Sequence, residues 1–206
     1  MPAPRDAASL RPPEMTIAEP LPRPLRIVSG GPAVIVMVGV PGSGKSVLGR
    51  IIAEAIDAVV IQTDAVRKRL FPRPSYTAKE VRTVYAVCHR QLASALAAGR
   101  RVVFDATNLQ ERTRDILYRA AEGRGAAVIV VAAYAPETVI RDRLAARAQG
   151  RDPDDRSDAD LAVYLRMRRS AEPIAHAHVV ANTCVSPMPV LAIVRRLIEG
   201  APPVRA

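Results

Sequence analysis

The chain reads as an α/β domain with a parallel sheet at its centre, and three observations carry that reading. Short apolar runs alternate with stretches whose apolar residues recur at helical spacing, the order expected of βαβ units. The segment Gly39 to Ser46, GVPGSGKS, fits the pattern GxxxxGK[ST] and stands directly behind the apolar run Ala33 to Val38, so strand, loop and helix follow in the required order. A length of 206 residues suits one such domain with a full core, whereas two independent domains would be cramped.

Each element follows from local signals. Up to about Pro32 the chain mixes prolines with scattered charges, seven of the 18 prolines falling by Pro24, and this composition predicts a disordered tail over 1–32. The first strand is Ala33 to Val38, and its helix runs from about Lys45 to Ile56. The second strand, Ala58 to Gln62, leads into a short helix from about Asp64 to Leu70. Thr77 and Glu80 form a capping box before a long helix with Val81, Val84, Cys88, Leu92 and Leu96 on one face, and Gly99 ends it. Arg101 to Asp105 is the third strand, Leu109 to Glu122 a helix, and Ala127 to Ala132 the fourth strand. Pro136 opens a helix to about Ala148, Gln149 to Ser157 is a polar loop, and Ser157 with Asp160 caps the next helix. Val179 to Ala181 is a short last strand and Pro189 to Glu199 a closing helix, so the domain spans 33–200, with 201–206 a loose end.

Composition narrows the partners. No apolar run approaches the roughly 18 residues needed to cross a bilayer, and the Pro-rich start lacks a signal peptide's apolar segment, so a cytoplasmic protein without a membrane partner is expected. Cys88 and Cys184 have neither metal-ligand nor disulfide spacing and read as buried or half-buried thiols. The net charge of +10 suits a polyanionic partner such as nucleic acid, but 27 of the 30 basic residues are Arg, in a chain also rich in Ala, Val and Pro, as a strong coding bias gives. Aromatics at 3% with no Trp leave little from which to build a stacking platform for unpaired bases.

The chemistry is concentrated in four places. Gly39, Gly42 and Gly44 let successive backbone N–H groups turn inward around a polyphosphate at a helix N-terminus. Lys45 would reach the terminal phosphates and the Ser46 hydroxyl would ligand Mg²⁺, so the expected nucleotide-binding set is Gly39, Pro41, Gly42, Ser43, Gly44, Lys45, Ser46 and Val47. Asp105 ends the strand VVFD, where a carboxylate can hold Mg²⁺ beside Ser46 if that strand neighbours the first. Asp64 and, one turn on, Arg67 follow the second strand, placed for a base that takes an acceptor hydroxyl's proton and a cation that holds the acceptor. Arg143 and Arg147 share a helix face, with Arg151 and Arg156 in the polar loop, and together they suggest a lid whose guanidinium groups neutralise developing charge. His176 and His178 lack a third ligand and read as structural, and no guanine-reading NKxD occurs.

The combination GVPGSGKS, TDAVRKRL, VVFDATNLQER and RLAARAQGRDPDDRSDA resembles the P-loop kinase family that includes phage polynucleotide kinase and zeta-toxin-like kinases, over roughly Val34 to Thr183. The resemblance implies a general base at Asp64, an acceptor contact at Arg67, a metal and acceptor side formed by Asp105, Thr107 and Asn108, and a lid arginine at Arg147 or Arg143. TDAVRKRL and LAAGRRVVFDATN also resemble ATP-binding modules fused to aminoglycoside-phosphotransferase-like domains in bacteria. The chain departs from the bifunctional polynucleotide kinase pattern in leaving no room for a C-terminal phosphatase domain and in lacking aromatics to grip a single strand.

The expected fold is therefore a P-loop NTPase domain: a five-stranded parallel sheet in the order 2-3-1-4-5, helices on both faces and an Arg-bearing lid. The expected reaction is transfer of the ATP γ-phosphoryl group, with Mg²⁺, to a hydroxyl-bearing substrate, Lys45, Asp64 and Arg147 being the catalytic residues. Two alternatives stand beside it: a kinase of nucleic-acid 5′-hydroxyls, and an ATP-binding regulatory module that transfers nothing.

Overall fold

The computed structural model describes residues 30–149 and 159–200. The expected tail, apart from its last three residues, and the final residues 201–206 lie outside the described residues, as do Arg151, Arg156 and Ser157. The elements in chain order are β1 (Ala33–Val38), α1 (Lys45–Ala55), β2 (Ala58–Gln62), α2 (Thr63–Leu70), α3 (Ala78–Ala97) and β3 (Arg101–Asp105). They continue as α4 (Glu111–Glu122), β4 (Ala127–Tyr134), α5 (Glu137–Ala148), α6 (Leu161–Arg169), β5 (His178–Asn182) and α7 (Met188–Ile198).

The strands form one five-stranded parallel sheet in the order β2-β3-β1-β4-β5, the predicted order. Parallel sheets need cover on both faces, which is why β1 is apolar at every position and buried at every position. Alternate residues divide between two cores. Ala33, Ile35 and Met37 pack with α1 and α7 on one face, through Leu48, Ile52, Val190 and Val194. Val34, Val36 and Val38 pack with α3 and α4 on the other, through Val84, Cys88, Leu92 and Leu117. A third cluster of Ala135, Ile140, Leu144 and Tyr164, with Val40 against it, seats α5 and α6 beside the loop after β1.

Several local expectations change. Strand β4 runs two residues further than predicted because Ala133 and Tyr134 pair with Ala181 and Asn182, and pairing overrides the weak strand preference of that Ala-rich end. Helix α4 starts at Glu111, since Asn108 takes a left-handed conformation (φ 46°) and the backbone becomes helical only after it. The cap of α6 is Asp160, whose carboxylate accepts from Val163 N at 2.8 Å, and Ser157 lies outside the described residues. Thr77 does cap α3, accepting from Glu80 N at 3.3 Å, but Glu80 itself, with Val81 only partly covered, fills the buried first position of that helix face. Cys88 is buried as expected, while Cys184 is exposed because it sits in the open connection after β5.

Candidate active site

The loop between β1 and α1 is shaped to present amides. Gly42 (φ 79°) and Gly44 (φ 83°) adopt the left-handed backbone that residues with a Cβ resist. Gly44 is the N-cap of α1 without any side-chain cap, and the first turn of that helix carries no acidic residue, so its N–H groups and positive dipole end are left to an anion. A Cβ on Gly44 would also lie 2.8 Å from Thr183 Oγ1 and 3.0 Å from Arg143 Nη1. Behind the loop, therefore, the protein is packed as tightly as the ligand side is open.

A cleft of about 990 Å³ opens on this loop. Its walls include Gly42, Gly44, Lys45 and Ser46 from the loop and helix, Asp105 from the end of β3, and Arg143 and Arg147 from α5. Pro41 and Ser43 are buried in the loop, and Val47 is exposed on the first turn of α1. The register explains how Asp105 reaches this place: it pairs with Met37 of β1 on one side and Gln62 of β2 on the other, at the carboxyl end of the sheet. Asp105 is 3% exposed, and its Oδ1 has no hydrogen-bond partner among the described residues. A buried oxygen of that kind is costly unless something binds it. Magnesium prefers a carboxylate and hydroxyl oxygens, so Asp105 with Ser46 fits Mg²⁺, and the uncapped amides fit a triphosphate.

Asp64 and Arg67 lie on α2, at the same end of the sheet, but neither is among the described residues that line the cleft, where Ala65, Val66 and Arg69 stand instead. The helix start is close to the metal-side strand, with Thr63 Oγ1 3.5 Å from Asp105 O. Arg67 is buried and donates from Nη1 to Glu80 Oε1 at 2.7 Å, while its guanidinium lies 4.6 Å from the centre of the Tyr76 ring. The other oxygen of Glu80 accepts from Ser75 N, Ser75 Oγ and Tyr76 N at 2.8, 2.9 and 3.1 Å. Burial alone would raise the Glu80 carboxyl, but the hydrogen bonds from Arg67 and Ser75 override it and hold the pKa down at about 2. On α3, the Tyr85 phenol is pushed up to about 12, first by burial and then by nearby negative charge that includes Asp64.

Thr107 and Asn108 sit in the turn after β3 and are tied to β1 rather than facing the cleft. Thr107 O accepts from Gly39 N at 3.1 Å, and Asn108 Nδ2 donates to Met37 O at 2.8 Å. This turn is held in place by Arg114, fully buried, which donates to Asn108 O at 2.9 Å, to Pro173 O at 2.6 Å and to the Glu111 carboxylate. On α5, Arg143 donates to Gly42 O and to Thr183, and Arg147 donates from Nη1 to Ala159 O at 3.2 Å, across the base of the polar loop. His178 Nδ1 lies 2.9 Å from His176 O, and the His176 ring packs on Tyr118 with centres 4.3 Å apart. No helix among the described residues is long and apolar enough to cross a membrane.

Three residues here had no role in the sequence reading: Glu80 beyond its place in a capping box, Arg114 and Thr183. Glu80 carried a signal, since a carboxylate on an otherwise apolar helix face asks for a partner. Arg114 and Thr183 carried none, because their partners are backbone carbonyls distant in the chain.

The arrangement has relatives. A gluconokinase from Sinorhizobium meliloti superposes with a TM-score of 0.53 at 24% identity, over 82% of this chain and 90% of that one. The APS kinase CysC of Mycobacterium tuberculosis, in complex with AMPPNP and APS, gives a TM-score of 0.63 at 13% identity, over 82% of this chain and 98% of that one. In sequence, an uncharacterized protein of Mycobacterium tuberculosis is 31% identical over 144 residues, which is 64% of this chain. The chain spans only 28% of that relative's length. The fold is that of P-loop kinases. Residues 34–174 match the family described as AAA domain, and the chain belongs to that family.

Proposed function

We propose that this chain is an ATP-dependent kinase that transfers the γ-phosphoryl group to a hydroxyl acceptor. The observation that carries the reading is one cleft in which the uncapped start of α1, Lys45, Ser46, the partnerless Asp105 oxygen and two arginines of α5 converge. The loop amides and Lys45 bind the phosphates and orient the terminal one for in-line attack. Ser46 and Asp105 would hold Mg²⁺, which would offset the negative charge of the phosphates. Asp64 takes the proton of the acceptor hydroxyl as its oxygen bonds to the γ-phosphorus, the bond to the β-phosphate oxygen breaks, and ADP leaves. Thr107 and Asn108 shape the acceptor side through the turn they hold, and Arg147 supports the charge that develops on the transferred group.

A small uncharged hydroxyl compound is the favoured acceptor over a nucleic-acid 5′-end. What supports this is that the charge of Arg67 is matched by Glu80 at 2.7 Å rather than held ready for an acceptor phosphate. The test is product analysis with γ-labelled ATP against sugars, nucleosides and short oligonucleotides over a range of salt. Label in a small acceptor, with little dependence on ionic strength, is the expected result. Transfer to oligonucleotides that weakens steeply with salt would move the assignment to polynucleotide ends. Label in free phosphate alone would leave a regulatory ATPase.

A further inference from the structure

A peptide unit carries its N–H and C=O on opposite sides, so a loop that turns its amides toward a ligand turns its carbonyls toward the protein. In the loop after β1 those carbonyls are met by side chains from remote parts of the chain. Arg143 Nη1 donates to Gly42 O across 3.2 Å, and Thr183 Oγ1 lies 2.7 Å from Ser43 O and 3.2 Å from Tyr134 O. A hydroxyl has one hydrogen, and the shorter distance assigns it to Ser43 O. Arg143 in turn donates to Thr183 Oγ1 at 3.0 Å and to Thr183 O at 3.2 Å, which fixes the direction of that hydroxyl. Thr183 N donates to Tyr134 O at 2.9 Å, anchoring the residue on the end of β4. The missing Cβ of Gly44 completes the fit, because it would lie 2.9 Å from Thr183 Cβ.

We propose that Thr183 is a positioning residue for the phosphate chain of the nucleotide. Its hydroxyl, aimed by Arg143, draws the Ser43 carbonyl outward and so keeps the Gly44 amide of the same peptide unit pointed into the cleft before any nucleotide arrives, while Ser43 N is tied back to Val40 O at 3.1 Å. A cradle assembled in advance does not have to be ordered at the moment of binding, and its dipoles act at full strength. On this account Arg143 belongs to the wall behind the loop, while Arg147, one turn further on, is the arginine directed to the transferred group. The inference rests on the kinase reading only in that the loop binds a polyphosphate.

The experiment is direct binding of ATP, and competition by inorganic tripolyphosphate, with wild type, T183V, T183S and R143Q. T183V keeps the shape and removes the hydroxyl. It is expected to raise the dissociation constants of both ATP and tripolyphosphate on the order of tenfold, which corresponds to about 1.4 kcal/mol. In turnover the change is expected in KM more than in kcat. T183S, which keeps the hydroxyl, is expected to bind both probes about as wild type does. R143Q removes the donor to Gly42 O and the group that aims Thr183, so it is expected to weaken both probes even if T183V does not fold. Unchanged affinities in T183V or in R143Q overturn the proposal, as does a loss confined to ATP, which would place Thr183 at the base rather than the phosphates. If wild type binds neither probe, the kinase reading falls and this inference falls with it; if wild type binds both and the variants match it, only this inference falls.

Discussion

Arg67 and Glu80 form an ion pair of 2.7 Å in which the arginine side chain is 7% exposed and the glutamate 4%, and through it the helix after β2 is fastened to the start of the long helix α3. Two charges held this far from water must be matched and saturated with hydrogen bonds, and Glu80 achieves this with Ser75 and Tyr76 on its second oxygen. The pair gives the protein an acid-sensitive contact.

Glu80 has its pKa held at about 2 against an ordinary value of 4.5. A carboxyl depressed in the folded state contributes stability that is fully present above its unfolded pKa and is lost as pH falls toward the folded one. Wild-type stability should therefore fall with pH between about 4.5 and 2, with this group contributing to the slope. In E80Q the protein should be less stable at neutral pH, because Arg67 is left buried without a counter-charge, and its stability should depend less on pH in that window. Urea unfolding at a series of pH values checks both, and equal slopes for the two proteins would show that Glu80 is not the group responsible.

Asn108 is buried in a left-handed conformation and bridges the turn after β3 to Met37 O at 2.8 Å. N108A removes the bridge, leaves a strand carbonyl without a donor and puts a Cβ-bearing residue with no local hydrogen bond in a strained backbone. The expected loss is about 1–3 kcal/mol, or several degrees in the melting temperature. N108G relieves the strain but not the lost bond, so it should fall between wild type and N108A.

Much of the fold was legible because it rests on local patterns. The run AVIVMV reads as a strand because GVPGSGKS follows it, and that motif gives the strand-loop-helix order and the position of the phosphate cradle. The motif also led to Asp105, since the carboxyl ends of neighbouring parallel strands must converge. What the sequence could not show were interactions between side chains and distant backbone. Arg67 reads as a cation that holds the acceptor, yet its guanidinium is paired with Glu80 on another helix. Asn108 read as an acceptor contact, yet its amide serves a carbonyl of β1. Thr183 carried no motif at all, because its role depends on where the last strand ends relative to a loop 140 residues earlier.

Asp105 is expected to show a trade between stability and function. Its buried Oδ1 has no partner among the described residues, so the ligand-free protein carries an unmatched carboxylate oxygen. D105N removes that charge and should melt at the same temperature as wild type or a few degrees higher without ligand. With ATP present, Mg²⁺ should raise the melting temperature of wild type but not of D105N. A D105N protein that gains as much from Mg²⁺ as wild type would remove Asp105 from the metal side.

Lys45 is the one lysine in the loop, half-buried on the wall of the cleft, and K45A should lower nucleotide affinity and phosphoryl transfer together, because an ammonium that holds the terminal phosphates serves both ground state and transition state. A loss on the order of 10² to 10³ in turnover is expected. Competition binding of ADP should be affected less than that of ATP, since ADP lacks the outermost phosphate that the lysine reaches.

Asp64 should separate the chemistry from nucleotide binding. It stands on the first turn of α2, outside the described wall of the cleft, so D64N is not expected to disturb the loop, Lys45 or Asp105. If Asp64 is the base, the amide can no longer accept the proton of the acceptor hydroxyl, and kcat should drop by roughly 10² to 10³ with ATP affinity within about twofold of wild type. The slow ATPase reaction in which water replaces the acceptor depends less on that carboxylate and should fall by a smaller factor. Single-turnover transfer from γ-labelled ATP, measured beside ATP binding, distinguishes the cases. Transfer at the wild-type rate in D64N would mean that the hydroxyl is activated by another group, and the assignment of Asp64 would then have to be given up while the nucleotide site stands.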